Sequence, residues 1–376
     1  MFRSRYFINL LVLVWLGSGT SLMAIDPVIP QYRAKQVVVA SAQEEGMDYL
    51  AFPSLLRIGP DELLISFKRG SRHGRDEEAV LDMLHFDTLG NRILERRQVA
   101  YDPGFVHQMG EWVQFGDGEI VLYIDTQQTG HDDRHYRAGM REVRFSSDLQ
   151  DISETRRSPW VGEREYGYPF EFIVDGDTTY MLVMAFGYRP GGRWSVDVIK
   201  SDDNGGSWEF VRNLTDEFGG HKINESSFIP WDEGFLVTTR EYGPNQRVYR
   251  TDRYFRMLQE SNLSESHGFI EHHLGRPRLF TRDGKIYLIG RNWRTTDAHG
   301  RLMELVMLRL NPETLEVENW VILDNVDRAN ITDAHYGVPY FQERDGVTYL
   351  NVIDYRGLNR AHPDIVRHEF KWEEVR

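Results

Sequence analysis

The chain repeats one pattern six times: an apolar strand, a turn rich in Asp and Gly, and a second apolar strand. Examples are FPSLLRIGPDELLISF near the start and VPYFQERDGVTYLNVI near the end. The turn aspartates, 51 to 62 residues apart, are Asp61, Asp117, Asp175, Asp232, Asp283 and Asp345. Gly and its polar neighbours favour tight turns between paired strands. Six hairpins at a nearly constant period predict a repeat architecture.

A third apolar strand follows each hairpin, as in DVIKSDDNGGSW and VMLRLNPETLEV. At least three strands in about 55 residues are typical of a β-propeller blade. We therefore expect an all-β, six-bladed β-propeller that forms a single domain over residues 25–376. The segment from Lys35 to Ala42 is expected to supply the outer strand of the last blade, which would close the ring and protect its edge.

The first 24 residues have the features of a signal peptide. Arg3 and Arg5 precede an apolar stretch from Phe7 to Leu16, and Ala24 ends the segment. The stretch is too short to span a bilayer comfortably. We expect a secreted or periplasmic protein, without stable membrane insertion once the signal is removed. The chain has no cysteine, so its fold depends on the core and on no disulfide.

Composition and charge narrow the range of partners. The chain is 40% hydrophobic and contains 9 Trp, 18 Tyr and 20 Phe, which is ordinary for a globular protein rich in aromatic residues. Its formal charge is −14, and no run of Lys and Arg interrupts the acidic balance. Both features argue against a nucleic-acid-binding surface.

Polar residues are concentrated at one mouth of the predicted ring. In each blade, the residues before the first strand and after the second strand share this face. The polar residues there include Lys68, Arg69, His73, His107, Tyr168, Glu225, Arg240, His273, Arg276, Arg291, His335 and Tyr336. Glu225 starts one strand and Arg240 ends its hairpin partner, so the two charges should lie side by side. This pair is either a structural ion pair or a site carboxylate that the Arg keeps ionised.

Three of the candidates lie where loops or strand ends could reach the mouth. Tyr336 lies at the start of the first strand of blade six. It is either a reactive group or an aromatic side chain that fills the mouth. Arg301 stands just before the third strand of blade five, within reach if the preceding loop folds inward. Asp76 lies in the loop between the second and third strands of blade one, where a solvated loop charge is the alternative.

The segment SDDNGGSW matches the Asp-box of the sialidase superfamily, S-x-D-x-G-x-[S/T]-W. The matching residues are Ser201, Asp203, Gly205, Ser207 and Trp208. With this motif and its blade rhythm, the chain resembles that superfamily, whose members are six-bladed propellers. The motif is specific for the fold rather than for the activity, because propellers that are not sialidases also carry it.

The resemblance implies roles for individual residues. Tyr336 matches the nucleophile, Glu225 the carboxylate that takes its proton, and Asp76 the acid/base that protonates the leaving oxygen. Arg240 and Arg301 match two arginines that hold the substrate carboxylate. Arg69 and Arg276 are further candidates for substrate binding, as are His107 and His335. The implied partner is a glycan or polysaccharide, bound by a monomer that needs no cofactor.

One position departs from the superfamily pattern. Sialidases begin blade one with an Arg two residues before a Pro, whereas YLAFPSLL places Ala51 there. Loss of one charge-assisted contact, about 1.5–3 kcal/mol, reduces binding ten-fold or more. The sequence therefore predicts a sialidase-like hydrolase of an acidic or polar glycan that does not cleave ordinary sialosides.

Two other functions stay open. A polysaccharide lyase would use a His, a Tyr and an Arg for β-elimination, and the histidines near the mouth are His107, His131, His221, His272, His273 and His335. Tyr188 or Tyr336 would supply the Tyr. A propeller that binds glycans without catalysis is the third possibility, which the missing arginine at Ala51 favours. The loop from His131 to His135 could bind a divalent ion, but a solvated loop is favoured and no metal is predicted.

Overall fold

The computed structural model describes residues 25–129, 135–146, 149, 152–157, 161–162, 164–185, 194–296, 300–324, 331–358 and 362–376. The predicted signal peptide, residues 1–24, lies outside these ranges, and so does most of the segment from His131 to His135. Within the described ranges, no helix is long and apolar enough to cross a membrane.

The described residues form six antiparallel sheets, which are the blades of a β-propeller and confirm the predicted fold. The first strand, β1 (Ala34–Val39), belongs to the last blade. Blade one contains β2 (Tyr49–Arg57), β3 (Glu62–Gly70), β4 (Val80–Asp87) and β5 (Arg92–Ala100). Blade two contains β6 (Phe105–Gln114), β7 (Ile120–Thr129), β8 (His135–Phe145) and β9 (Ile152–Arg157). Blade three contains β10 (Tyr166–Asp175), β11 (Thr178–Ala185), β12 (Ser195–Ser201) and β13 (Glu209–Asn213).

The second half of the ring has the same organisation. Blade four contains β14 (Ile223–Trp231), β15 (Gly234–Glu241), β16 (Gln246–Asp252) and β17 (Met257–Asn262). Blade five contains β18 (Gly275–Arg282), β19 (Lys285–Thr296), β20 (Gly300–Leu310) and β21 (Val317–Ile322). Blade six contains β22 (Ile331–Ala334), β23 (Val338–Arg344), β24 (Val347–Leu358) and β25 (Asp364–Lys371). Two short helices, α1 (Leu214–Glu217) and α2 (Leu263–Ser266), follow the outer strands of blades three and four.

The N-terminal strand closes the ring. β1 pairs antiparallel with β25, with Lys35 opposite His368 and Val37 opposite Val366. The outer edge of the last blade is therefore covered by the start of the chain, as the sequence predicted for the segment from Lys35. Covering an edge in this way removes a row of unpaired backbone groups from solvent.

The Asp/Gly turns connect the first two strands of each blade. Asp283 and Gly284 have φ of 53° and 69° between the paired residues Arg282 and Lys285. Positive φ at both central residues is the signature of the two-residue hairpin turn whose twist matches that of the strands. Gly provides this conformation without steric cost, which explains why the sequence pattern marked the turns.

Bulges occur at the opposite end of the innermost strands, near the mouth. The register of β2 with β3 shifts between Ala51 and Ser54, and that of β14 with β15 shifts between Ile223 and Ser226. The register of β18 with β19 shifts between Gly275 and Arg278. A bulge bends its strand and redirects one side chain. At these three shifts, side chains therefore point toward the mouth instead of alternating between the two faces of the sheet.

Candidate functional site

The carboxylate of Glu225 is the centre of the site at the mouth. Its Oε1 accepts hydrogen bonds from the hydroxyls of Tyr336, at 2.9 Å, and Tyr168, at 3.0 Å. Its Oε2 accepts from Nη1 of Arg240 at 2.5 Å and from the backbone N–H of Arg276 at 2.9 Å. Burial alone would raise the pKa of Glu225, but Arg240 and Arg276 lower it below its usual value. Glu225 is therefore an ionised acceptor.

Local backbone geometry assembles these donors. Glu225 lies in the bulge of β14, and Arg240 lies near the end of β15, the hairpin partner of β14. The predicted proximity of Glu225 and Arg240 is thus confirmed. Arg276 has φ of 45° in the bulge of β18, and its N–H donates to Glu225. A non-glycine residue in this region of φ stores strain that the surrounding contacts must offset.

Tyr336 lies between β22 and β23, with its ring buried and its hydroxyl on Glu225. The ring packs against Phe52, with 5.4 Å between ring centroids, and against Tyr355, with 5.9 Å. Burial and the negative charge of Glu225 raise the pKa of Tyr336, whereas Arg291 and Arg240 act in the opposite direction. The phenol is therefore neutral at rest, and its hydroxyl donates a hydrogen bond to Glu225.

Two guanidinium groups flank the phenol. Nη1 of Arg240 lies 3.4 Å from the Tyr336 hydroxyl, and Cζ of Arg291 lies 4.9 Å from the centre of the Tyr336 ring. Arg291, on β19, also donates to the carbonyl of Ala334 at 3.2 Å. Gly275 permits this position, because a Cβ there would stand 2.8 Å from Nε of Arg291. A negative group bound beside Tyr336 would meet both cations.

A second polar cluster adjoins Tyr336 and was not predicted. Asp333 accepts hydrogen bonds from Tyr49 and, at 3.2 Å, from Tyr355. Nδ1 of His73 lies 2.9 Å from Oδ2 of Asp333 and 3.0 Å from the Tyr49 hydroxyl. His73 comes from the loop between β3 and β4, and Asp333 from the end of β22. Blades one and six therefore meet through this cluster.

Asp76 lies in the same loop as His73, but its carboxylate points into that loop. Oδ2 accepts from the backbone N–H groups of Ser71, at 2.6 Å, and Arg72, at 3.2 Å. The residue is 3% exposed, and its Oδ2 lies 3.9 Å from Nζ of Lys68. In this arrangement Asp76 holds the backbone that presents His73. Its role as acid/base remains a prediction.

The predicted substrate-binding arginines take different positions. Arg69 forms an ion pair with Asp82, its Nε 2.9 Å from Oδ2. The Arg276 side chain is buried and donates to Glu111 at 2.5 Å, where Arg278 also binds Glu111. The Arg276 side chain is thus directed to Glu111 on β6, whereas the backbone N–H of Arg276 donates to Glu225. Among Arg69, Arg240 and Arg276, only the guanidinium of Arg240 contacts both Glu225 and Tyr336.

Arg301 lies in β20 rather than ahead of it, because that strand begins at Gly300. Its side chain is exposed, and Cζ stacks 4.2 Å from the ring centre of Trp293. Cζ of Arg291 contacts the same indole at 5.2 Å. Arg301 thus contacts Trp293, whereas Arg291 contacts both Trp293 and Tyr336.

The two predicted histidines are buried. His107 is 0% exposed, and burial together with Arg141 lowers its pKa to about 4. His335 is also 0% exposed, with Nδ1 2.7 Å from Asp354 and Nε2 3.3 Å from Asp324. Burial opposes the charged form of His335, but the two carboxylates raise its pKa. Both rings are sequestered from solvent in this structure, and their substrate-binding roles remain predictions.

Loop conformation explains which site residues the sequence missed. His73 and Arg291 were among the polar residues expected at the mouth, but no pattern distinguished them. Asp333 stands three residues before Tyr336 in TDAHY, and this short spacing was the available signal. No feature of the sequence pointed to Phe52 as a site residue, although it directly follows Ala51, the position where the superfamily has arginine.

Within the described ranges, no group of three or more His, Asp and Glu side chains is arranged to hold a metal ion. The candidate metal-binding loop from His131 to His135 falls almost wholly outside those ranges and stays untested. The lyase candidates Tyr188 and His131 are likewise outside them.

Comparison with known proteins identifies the fold. No protein-family model matches the chain. No curated protein sequence matches it. A protein of unknown function from Dyadobacter fermentans superposes with a TM-score of 0.69 at 14% identity, over 92% of this chain and 99% of that chain.

Two of the similar solved structures are sialidases by description. The NanB sialidase of Streptococcus pneumoniae has a TM-score of 0.62 at 9% identity, over 91% of this chain and 71% of that one. A leech intramolecular trans-sialidase has a TM-score of 0.59 at 11% identity, over 91% and 71%. This chain is therefore a sialidase-like β-propeller. At such identities the likeness shows the fold alone.

Proposed function

We propose that the protein is an exported glycoside hydrolase that cleaves an acidic or polar glycan with Tyr336 as nucleophile. The observation that carries this proposal is the 2.9 Å hydrogen bond from the Tyr336 hydroxyl to the ionised Glu225. A phenol that is hydrogen-bonded to an ionised carboxylate can attack an anomeric carbon as its proton transfers to that carboxylate. The sialidase-like fold supports the proposal, and the predicted N-terminal signal supports export.

The first step forms a glycosyl–tyrosine bond. The Tyr336 oxygen attacks the anomeric carbon, its proton moves to Glu225, and the glycosidic carbon–oxygen bond breaks. The leaving oxygen takes a proton from an acid, for which the sialidase resemblance implies Asp76. Water then attacks the anomeric carbon and gives one of its protons back to the acid, while the Tyr336 oxygen leaves and recovers the proton from Glu225. The net reaction adds one water across the glycosidic bond.

A substrate carboxylate would also activate the base. Arg240 lowers the pKa of Glu225, so in the free protein Glu225 is a weak base. A carboxylate bound between Arg240 and Arg291 would compete for the Arg240 guanidinium. Weakening the pair between Arg240 and Glu225 raises the proton affinity of Glu225. An acidic substrate would therefore strengthen the acceptor of the Tyr336 proton.

One observation favours a lyase as the second candidate. Burial and the charges of Lys68 and Arg291 lower the pKa of His73 to about 4, so its imidazole is neutral near pH 7. A neutral base, a protonated Tyr336 and two guanidinium groups are the parts that β-elimination from a uronic acid needs. The base would remove the proton next to the carboxylate, and the phenol would protonate the leaving oxygen.

Product analysis in ¹⁸O-water tests the proposal. Protein purified without residues 1–24 is incubated with sialylated glycans and a panel of uronic-acid polysaccharides. Hydrolysis predicts products that gain one water and carry one ¹⁸O atom, whereas elimination predicts an unsaturated product without ¹⁸O. Binding without any product would favour a carbohydrate-binding propeller.

Variants of two tyrosines connect the result to the site. Tyr336→Phe should reduce kcat/KM by roughly 10²-fold or more, because the nucleophilic oxygen is lost. Tyr340→Phe is the matched control, since Tyr340 is a buried tyrosine on β23 whose hydroxyl makes no contact with Glu225 among the described residues. Equal activity in the two variants would contradict a nucleophilic role for Tyr336.

A further inference from the structure

Three polar atoms from two blades converge beside Tyr336. Nδ1 of His73 is 2.9 Å from Oδ2 of Asp333 and 3.0 Å from the hydroxyl of Tyr49, which itself donates to Oδ2. With Nδ1 engaged, Nε2 is the nitrogen left to face the mouth. The His73 side chain is 58% exposed and that of Asp333 is 19% exposed. A half-buried carboxylate thus orients an accessible imidazole.

The cluster shares surroundings with the candidate nucleophile. The ring of Phe52 contacts His73, with 5.1 Å between centroids, and Tyr336, with 5.4 Å. Oδ1 of Asp333 lies 3.5 Å from Nη1 of Arg291, whose Cζ is 4.9 Å from the Tyr336 ring centre. His73 and Tyr336 therefore contact the same aromatic ring at the mouth.

We propose that His73, oriented by Asp333 and Tyr49, exchanges the proton with the glycosidic oxygen and later with water. This assignment rests on the proposed hydrolase function and gives the acid/base role to a histidine instead of Asp76. Asp76 already accepts two backbone N–H groups and is 3% exposed. It acts as a positioning residue for the loop that carries His73.

The proton moves along the pair in a balanced relay. With the shared proton on Asp333, Nδ1 of His73 accepts a hydrogen bond and Nε2 carries the other imidazole proton. As the glycosidic bond breaks, Nε2–H passes its proton to the leaving oxygen, and Asp333 passes its proton to Nδ1. In the second step Nε2 takes a proton from the attacking water and the pair returns to its first state. No imidazolium has to accumulate.

The electrostatics agree with this arrangement. Burial raises the pKa of Asp333 to about 6, whereas burial and nearby cations lower that of His73 to about 4. The proton shared by the pair therefore resides on Asp333 below about pH 6 and is lost above it. The charged and titratable groups acting on the pair are Lys68, Arg240 and Arg291, Glu225, Tyr355, His335 and Asp354.

The closing experiment compares leaving groups. Kinetics are measured on the glycan cleaved by the wild-type protein and on the nitrophenyl glycoside of the same sugar, whose leaving group needs no acid. His73→Gln should lose roughly 10²–10⁴-fold in kcat/KM on the glycan, but ten-fold or less in glycosylation of Tyr336 by the nitrophenyl glycoside. Asp333→Asn should show the same selectivity and abolish the acidic pH dependence near pH 6. His85→Gln, a histidine that pairs with Glu62 on another surface, is the control.

The outcomes separate the two proposals. Selective loss in Asp76→Asn with His73→Gln unaffected would overturn the assignment to His73 and leave the hydrolase intact. Equal loss on both substrates in His73→Gln would also overturn it, because a purely structural role does not depend on the leaving group. An unsaturated product, or no turnover by the wild-type protein, would overturn both proposals together.

Discussion

At the residue scale, Phe52 shows what replaces the arginine expected at Ala51. Ala51 is fully buried, and Phe52 adopts φ of 57° in the bulge of β2 while its side chain is 2% exposed. The backbone strain directs an aromatic ring between His73 and Tyr336. Blade one therefore places an aromatic ring rather than a guanidinium beside Tyr336, and the two arginines that flank the phenol, Arg240 and Arg291, come from blades four and five.

This arrangement predicts that Arg291, rather than Arg301, binds a substrate carboxylate. Arg291→Lys should raise KM for an acidic glycan about ten-fold, because one bidentate contact of about 1.5–3 kcal/mol is weakened. Arg301→Lys should have a smaller effect, since the exposed Arg301 stacks on Trp293 rather than on Tyr336. The measurement is KM for the glycan before and after its carboxylates are reduced to alcohols.

The reduced glycan is the internal control, since the difference between the variant and the wild type should vanish on it. A larger loss in Arg301→Lys, confined to the acidic glycan, would restore the assignment that the sialidase resemblance implies. Loss on both glycans would indicate that Arg291 supports Tyr336 rather than the substrate.

The residues that the sequence could predict are those set by strand pairing. Glu225 and Arg240 belong to one hairpin, so their proximity followed from register alone. The contact of Arg291 with Tyr336 depends on packing between blades five and six, and the cluster at Asp333 depends on a loop of blade one. Neither contact produces a periodic pattern in the sequence, because both depend on how separate blades and loops pack in the tertiary structure.

At the scale of elements, the hairpin from Ser201 to Trp208 is held by its own side chains. Asp203 accepts from the backbone N–H of Ser207 at 2.8 Å and from the Ser207 hydroxyl at 2.8 Å. Gly205 has φ of 77° and donates to the Ser201 hydroxyl at 2.8 Å. Trp208 then packs on Tyr123 of the neighbouring blade, with 6.0 Å between ring centroids. The turn therefore fixes a contact between blades two and three.

Asp203→Ala should destabilise the protein by about 1–2 kcal/mol, because the three hydrogen bonds that its carboxylate accepts from Ser201 and Ser207 are lost. The activity per folded molecule should be unchanged, since the turn contacts none of the residues around Glu225. Urea unfolding followed by tryptophan fluorescence measures the first effect. The control is Asp202→Ala on the same turn, because the Asp202 carboxylate accepts from the half-buried Lys200 on β12 and from Thr178 on β11.

An equal loss of stability in the two variants would contradict a specific role for Asp203. The sequence could predict this turn and the six Asp/Gly hairpins because their backbone conformations require particular residues. It predicted at least three strands per blade but did not define the fourth. The outer strand β17 (Met257–Asn262) is polar and partly exposed, so it carries little hydrophobic pattern.

At the scale of the whole molecule, the ring depends on a contact between the two ends of the described chain. β1 covers β25, and Tyr32, just before β1, donates to Asp324 at 3.0 Å and stacks on His368 with 5.3 Å between ring centroids. Blade six also carries Tyr336 and Asp333, so the closure supports the side of the mouth where the candidate nucleophile lies. A blade that lost its outer strand would expose an unpaired edge and loosen this side of the site.

A protein that lacks residues 25–39 should therefore be less stable than one that lacks only residues 25–31, which keeps both Tyr32 and β1. The loss of a few backbone hydrogen bonds amounts to about 2 kcal/mol, which lowers the thermal midpoint by roughly 2–4 °C in a domain of this size. The shorter protein should also self-associate through the exposed edge of β25, which sedimentation velocity would detect. Identical midpoints and sedimentation in the two truncations would contradict closure by β1, because they would show that β25 ends blade six without a partner strand.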